Sequence, residues 1–116
     1  MPNSVRLYEF ASVTLDSSGN GTAGLGPLSA REVWHPEMVH VSANQNPTNE
    51  AECRIFAGDD TSAPNYRDGT FSGSSGDSTD SLQAQQVHCG HKIWAVWTGG
   101  DPGVIATISV TGTKDV

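Results

Sequence analysis

The sequence predicts an all-β protein, a single antiparallel β-sandwich of about seven or eight strands, of jelly-roll or immunoglobulin-like type. Only 16% of the 116 residues are charged, and Ser, Thr, Asn and Gly replace the strong helix formers Glu, Lys, Ala and Leu. Thirteen Gly and six Pro require many turns. Between the turns, apolar and polar residues alternate as in half-buried strands. The length fits one domain covering residues 1–116.

The first strand is predicted over Val5–Leu15 (VRLYEFASVTL), with mostly odd-numbered apolar residues on its inner face. Tyr8 and Phe10 have the other parity, which predicts that both faces are partly covered. Asp16–Gly21 (DSSGNG) has the residues of a sharp turn. Thr22–Leu28 is then expected to return as a short partner strand.

The middle of the chain predicts two strands followed by a long loop. Arg31–Ser42 is a strand that Pro36 interrupts at an edge or a bulge, because proline donates no ladder hydrogen bond. Glu52–Ala57 (ECRIFA) is the next strand, with alternate residues inward. From Gly58 to Ser81 nearly all residues are small or polar. We therefore predict a Gly/Ser/Asp-rich surface loop over about residues 58–81.

The last third has the clearest strand pattern. Leu82–Val87 is a short predicted strand, followed by a tight connection. Lys92–Thr98 (KIWAVWT) and Val104–Thr113 are predicted to pair as a hairpin across the turn Gly99–Gly103 (GGDPG). That turn has Pro at its first central position and Gly at its second, as a type II turn requires.

The charge balance argues against two classes of partner. The formal net charge is −7, with only six Lys and Arg, so we expect no binding to nucleic acid or to an anionic membrane. No apolar run is long enough for a spanning helix, and no N-terminal signal pattern is present. Met1-Pro2 suggests a cytosolic start, and Cys53 and Cys89 are therefore expected to be free thiols.

Two groups of side chains could bind a metal. His88, Cys89 and His91 (HCGH) resemble one half of a zinc site, but a structural site needs four ligands. A set of aspartates could supply oxygen ligands to Ca²⁺, although it lacks the spacing of an EF-hand loop: Asp59, Asp60, Asp68, Asp77 and Asp80. We expect ordinary turn residues in both places, with no metal and no cofactor.

The sequence offers no catalytic constellation. It contains no GxSxG elbow, no paired-carboxylate spacing and no phosphate-binding loop. We expect no enzymatic activity and assign no catalytic residue.

Four aromatic residues are candidates for contacts with a partner. Trp94 and Trp97 are three residues apart on one strand, so they lie on opposite faces, one in the core and one at least partly exposed or covered. Tyr66 and Phe71 are the two aromatic residues of the predicted loop. An exposed ring can stack on a sugar or anchor a protein contact.

Several segments together resemble a group of small virion proteins from tailed phages of actinobacteria, described as minor tail or structural proteins. They are Gly26-Pro27 with Trp34 beyond, CRIFAG (Cys53–Gly58), DSTD (Asp77–Asp80), WTGGDPG (Trp97–Gly103) and ATISVTGT (Ala106–Thr113). The resemblance implies a particle component, made in the host cytoplasm and located in the virion. It implies no catalytic residue, and it leaves the choice between tail and capsid open.

Two functions follow as hypotheses. In the first, the chain is a structural subunit of a phage particle, a minor tail protein or a capsid decoration protein, that contacts other virion proteins as a homo-oligomer or symmetric array. In the second, it is a carbohydrate-binding module that uses Trp94 or Trp97 with the acidic loop.

Overall fold

The structure, a computed structural model, describes residues 4–43, 49–72, 77–83 and 85–116, without the side chains of residues 70–72 and 77. One short 3₁₀ helix, Ala63–Asn65, accompanies nine strands over this part of the chain. None of the described segments is a helix long and apolar enough to cross a membrane. The strands are β1 Ser4–Thr14, β2 Gly21–Leu25, β3 Val33–Ala43, β4 Glu52–Gly58, β5 Tyr66–Ser72, β6 Asp77–Thr79, β7 Val87–His88, β8 Lys92–Thr98 and β9 Ile105–Asp115.

The strands form two antiparallel sheets, as the predicted β-sandwich requires. Sheet A has the order β1-β9-β3-β6, and β7 also pairs with β3. Sheet B has the order β2-β8-β4-β5. Six of the eight connections between consecutive described strands cross from one sheet to the other. Only the β4–β5 and β6–β7 connections stay within one sheet. This crossing order is that of a jelly roll, which selects between the two predicted sandwich types.

The core lies between the sheets and has the predicted strand parity. On β4, Cys53 and Ile55 are fully buried, and on β9, Ala106, Ile108 and Val110 are fully buried. Both sheets contribute to one continuous apolar cluster. The alternation of residues therefore predicted correctly which side chains of these strands face inward.

Pro36 lies at the predicted irregularity of β3. The register of β3 against β9 shifts between Pro36 and Met38. Because β3 lies between β9 and β6, Pro36 is at a bulge of an inner strand rather than on an edge.

The predicted pairing of neighbouring strands was wrong in two places. β8 and β9 do not form a hairpin, since β8 pairs with β2 and β4 while β9 pairs with β1 and β3. Likewise β2 pairs with β8 and not with β1. The turn itself has the predicted geometry, because the N–H of Val104 donates to the carbonyl of Asp101 and Gly103 has φ of 81°. It connects the two sheets rather than two partners in one sheet.

The loop predicted over residues 58–81 was also wrong. This segment contains the 3₁₀ helix and the strands β5 and β6. The predicted strand Leu82–Val87 was misplaced, since a turn occupies residues 81–83 and β7 begins at Val87. Pairing with neighbouring strands overrides the weak β-propensity of these polar sequences.

Two turns at one end of the sandwich are in direct contact. The N–H of Gly100 donates to the carbonyl of Gly19 at 2.9 Å, and the N–H of Leu15 donates to Val104 at 2.8 Å. The approach at Gly19 is so close that a Cβ there would lie 1.8 Å from the Gly100 carbonyl oxygen. These contacts join the β1–β2 connection to the β8–β9 connection.

Candidate assembly interfaces

One long side of the sandwich is open. There β1 is the edge of sheet A and β2 is the edge of sheet B, and no described strand pairs with the outer side of either. A groove of about 380 Å³ runs between them. We call this groove the β1–β2 seam, lined by Glu9, Phe10, Ala11, Gly24, Leu25, Gly26, Leu28, Glu32, Trp34, Lys92 and Lys114.

Polar side chains at one end of the seam are held in place. The indole N–H of Trp34 donates to Glu32 Oε1 at 2.7 Å, and Lys114 Nζ lies 3.5 Å from the same oxygen. Trp34 is only 3% exposed and lies on the floor. The seam thus has an ordered apolar floor and a charged rim.

Large apolar side chains are exposed beside the seam. Tyr8 is 65% exposed, Phe10 66% and Leu28 95%, and Val5 is also exposed. These four are half of the eight large apolar side chains exposed on the described part of the chain. The expectation that Tyr8 and Phe10 would be partly covered was wrong, because β1 is an edge strand and none of the described elements covers the outer face of sheet A there. A concentration of this kind is typical of interaction surfaces.

The opposite long side of the sandwich is closed. Asp68 on β5 of sheet B and Thr79 on β6 of sheet A meet there, and the Asp68 carboxylate accepts hydrogen bonds from the hydroxyls of Thr79 and Ser81. Partial burial would raise the pKa of Asp68, but these hydroxyls and the N–H of Gly69 outweigh it and hold the pKa below its ordinary value. Hydrogen bonds between the sheets therefore close this side of the sandwich, whereas the seam side is open.

The two candidate tryptophans lie on opposite faces of β8, as their spacing predicts. Trp97 is fully buried in the core and offers no surface to a partner in this structure. Trp94 is partly exposed on the outer face of sheet B, where its ring lies over Gly24. Its N–H donates to the carbonyl of Gly58, and Lys92 Nζ lies 5.3 Å from the ring centroid. Local contacts therefore already occupy much of the Trp94 ring.

Tyr66 lies on the outer side of sheet B, 45% exposed. Its ring meets that of Phe56 edge to face, with centroids 5.6 Å apart. Together with Arg54 and Thr61 these rings border a shallow depression of about 550 Å³. Phe71 is in β5 opposite Cys53, but its side chain lies outside the described residues.

The residues considered for metal binding are separate or already engaged. His88, Cys89 and His91 are all exposed around a turn. Asp60 Oδ1 accepts from the N–H of Ser62 and from Asn65, and the hydrogen bonds from Ser62 are the main reason that its pKa is lowered. Over the ranges that the structure describes, no three His, Cys, Asp or Glu side chains are grouped as metal ligands would be.

The two cysteines are not bonded to each other. Cys53 is buried in the core and Cys89 is exposed. Burial raises the pKa of the Cys53 thiol to about 12. Cys53 is therefore a core residue whose side chain is a protonated thiol.

Sequence reasoning missed the seam. Parity placed Tyr8 and Phe10 on the outer face, but whether another element covers that face depends on the strand order. Leu28 follows a Gly-Pro pair in a loop, so no period-two pattern indicates whether its side chain is buried or exposed. The available signal was the pair of aromatic residues on the polar face of the first strand.

The fold is similar to that of a chain in the structure of turnip yellow mosaic virus. The TM-score is 0.52 with 13% sequence identity, over 99% of this chain and 81% of that chain. At this identity the likeness shows the fold alone. No protein-family model matches the chain, and no curated protein sequence matches it.

Proposed function

We propose that this protein is a non-enzymatic structural component of a virus particle that acts through protein–protein contacts. The observation that carries the proposal is the jelly-roll strand order, which viral capsid domains use, together with the similarity of the fold to a chain of turnip yellow mosaic virus over 99% of this chain. The seam side adds support, because Phe10 and Leu28 of the seam and Tyr8, two residues before Phe10 on β1, are all exposed. An assembly contact would bury this apolar surface.

The particle that we propose is that of a tailed phage, with the protein as a minor tail protein or a capsid decoration protein. The support is the set of segments that resemble actinobacteriophage virion proteins. Those segments occupy structural positions of this fold: CRIFAG is most of β4, WTGGDPG leads from β8 across to sheet A, and ATISVTGT lies within β9. On this proposal the protein is made in the host cytoplasm and its partners are other virion proteins.

The proposal is tested by locating the chain. Particles are purified through a density gradient, their proteins are quantified by mass spectrometry, and a particle map is searched for the jelly roll. We expect a fixed copy number per particle and density for the domain on the tail or the capsid shell. Absence of the chain from purified infectious particles would overturn the proposal.

One observation favours carbohydrate binding as a second candidate. Tyr66 presents an exposed ring beside Arg54 and Thr61, which is a shallow platform of the kind on which a sugar can stack. Titration of the purified protein with cell-wall oligosaccharides, followed by tyrosine and tryptophan fluorescence, tests this candidate. Saturable binding that Tyr66→Ala abolishes and Trp94→Phe retains would support it.

A further inference from the structure

We infer that the free edge of β1 pairs with β1 of a second copy of this chain, so that the two A sheets join into one continuous sheet beside the seam. The inference deepens the proposed function by naming one of its contacts. β1 is an edge of sheet A with eleven residues and no proline, and no described strand lies beyond it. A long regular edge with unpaired backbone donors and acceptors is a template for another strand.

A second copy fits because the local charge differs from that of the whole chain. The net charge is −7, so two copies repel each other over most of their surfaces. Three of the six Lys and Arg are nevertheless here, Arg6 on β1 and Lys92 and Lys114 at the rim of the seam. The acidic side chains of the seam are Glu9 and Glu32. This side can approach its own copy with little repulsion.

The sequence of β1 is self-complementary about Tyr8. A twofold axis perpendicular to the sheet keeps outer faces together only if the numbers of opposed residues add to an even number. With Tyr8 on the axis, Arg6 lies opposite the Phe10 of the second copy, where a guanidinium over a ring is favourable. The same register places Leu7 opposite Glu9 and so separates the two Glu9 carboxylates from direct opposition.

The two registers with the axis further along β1, at Glu9 or at Phe10, are less favourable. An axis at Glu9 would set two carboxylates directly opposite each other, which destabilises a strand pair. An axis at Phe10 would leave Arg6 opposite Thr14, with no aromatic partner for its charge. The register centred on Tyr8 places Tyr8 and Phe10 of both copies next to one another on a joint outer face, where neighbouring rings cover part of each other's surface.

The register is tested by cysteine cross-linking of the purified full chain. Single cysteines are placed at Tyr8, Glu9 or Phe10 in a Cys89→Ser background, and disulfide formation is followed on non-reducing gels. Opposed Cβ atoms in a strand pair are about 4.5–5.5 Å apart, so we expect Tyr8→Cys to form a dimer. Phe10→Cys should not, because its two copies would be four residues out of line, roughly 13 Å. Dimers through Glu9→Cys or Phe10→Cys alone would overturn the register.

The interface is tested independently by sedimentation equilibrium of variants that keep β1 intact as a strand. Phe10→Lys and Arg6→Glu should each raise the dimer dissociation constant, Phe10→Lys by at least about 30-fold, as for loss of an aromatic anchor. Tyr66→Lys, at an exposed aromatic residue on sheet B, is the control and should leave the dissociation constant unchanged. A monomer at all concentrations would overturn this inference but not the virion role, which is tested by the presence of the chain in particles.

Discussion

The carboxylate of Asp68 and the hydroxyl of Thr79 lie 2.5 Å apart and connect the two sheets along the closed side of the sandwich. Asp68 faces inward from β5 opposite Ile55, and Thr79 faces inward from β6 opposite Val39. A single carboxylate thereby joins the edge strands of both sheets. The seam on the other side has no such connection among the described residues, which leaves that side available to a partner.

The first prediction concerns stability in acid. The pKa of Asp68 is lower in the folded state than its ordinary value, so the unfolded chain takes up the proton first as the pH falls. The stabilisation by Asp68 is therefore complete well above the unfolded pKa of about 3.9 and is lost as the pH falls through the lower folded pKa. Asp68→Asn should lower the free energy of unfolding at pH 7 by about 1–3 kcal/mol and reduce its dependence on pH below about pH 4.5.

Urea unfolding from pH 7 to pH 3 measures this effect. Asp80→Asn is the matched control, because it removes the same charge from an exposed position between Thr79 and Ser81. If the two variants had the same free energy of unfolding at every pH, the role of Asp68 would be contradicted.

The second prediction concerns the contact between the turns at Gly19 and Gly100. Gly19 and Gly90 both have positive φ, 77° and 94°, but only Gly19 has a neighbour where a Cβ would lie. Gly90→Ala should cost about 1–2 kcal/mol from its backbone conformation alone. Gly19→Ala should cost about 3 kcal/mol or more, because the turns must also separate. Thermal unfolding followed by circular dichroism compares the pair, and equal losses would show that the contact contributes nothing.

The third prediction concerns the thiols. At pH 8 the native protein should react with a thiol reagent at Cys89 only, since Cys53 is buried and its pKa of about 12 leaves almost no thiolate. Denaturant should release the second thiol, and reductant should leave the melting temperature unchanged. Mass spectrometry of the labelled peptides assigns each site. A single bridged pair in the non-reduced protein would contradict the free-thiol prediction.

The fourth prediction concerns metal. EDTA should leave the melting temperature unchanged, because a metal that stabilises the fold would be lost on chelation. Asp60 and Asp68 already accept hydrogen bonds from neighbouring donors. A fall of several degrees that Zn²⁺ or Ca²⁺ restores would point instead to His88 and its neighbours or to the aspartates.

The sequence predicted local structure better than strand pairing. The Pro102-Gly103 turn, the bulge at Pro36 and the buried parity of β8 all follow from dihedral preferences or period-two patterns within a few residues. Pairing does not, because in a jelly roll the partner of a strand lies far away in the chain. Of the observed pairs, only β4 with β5 joins strands that are consecutive in sequence.

The polar middle of the chain shows why composition alone predicted a loop where the structure has strands. Tyr66–Ser72 (YRDGTFS) contains Asp and Gly, which disfavour strands. It forms β5 because β4 supplies a ladder and Asp68 finds hydroxyl donors across the sandwich. The candidate interface was hidden for a similar reason, since exposure of Tyr8 and Phe10 depends on β1 being an edge. That position is set by residues about a hundred positions later.

The place of β9 in sheet A has a consequence for biosynthesis. β9 separates β1 from β3, and Ser4 lies opposite Asp115. During translation β1 leaves the ribosome before the other described strands, but its partner strand β9 is complete only when residue 115 has emerged. Sheet A can therefore be completed only after synthesis of that segment, and β1 spends that interval unpaired, in the slow-folding regime of sheets rich in long-range pairs.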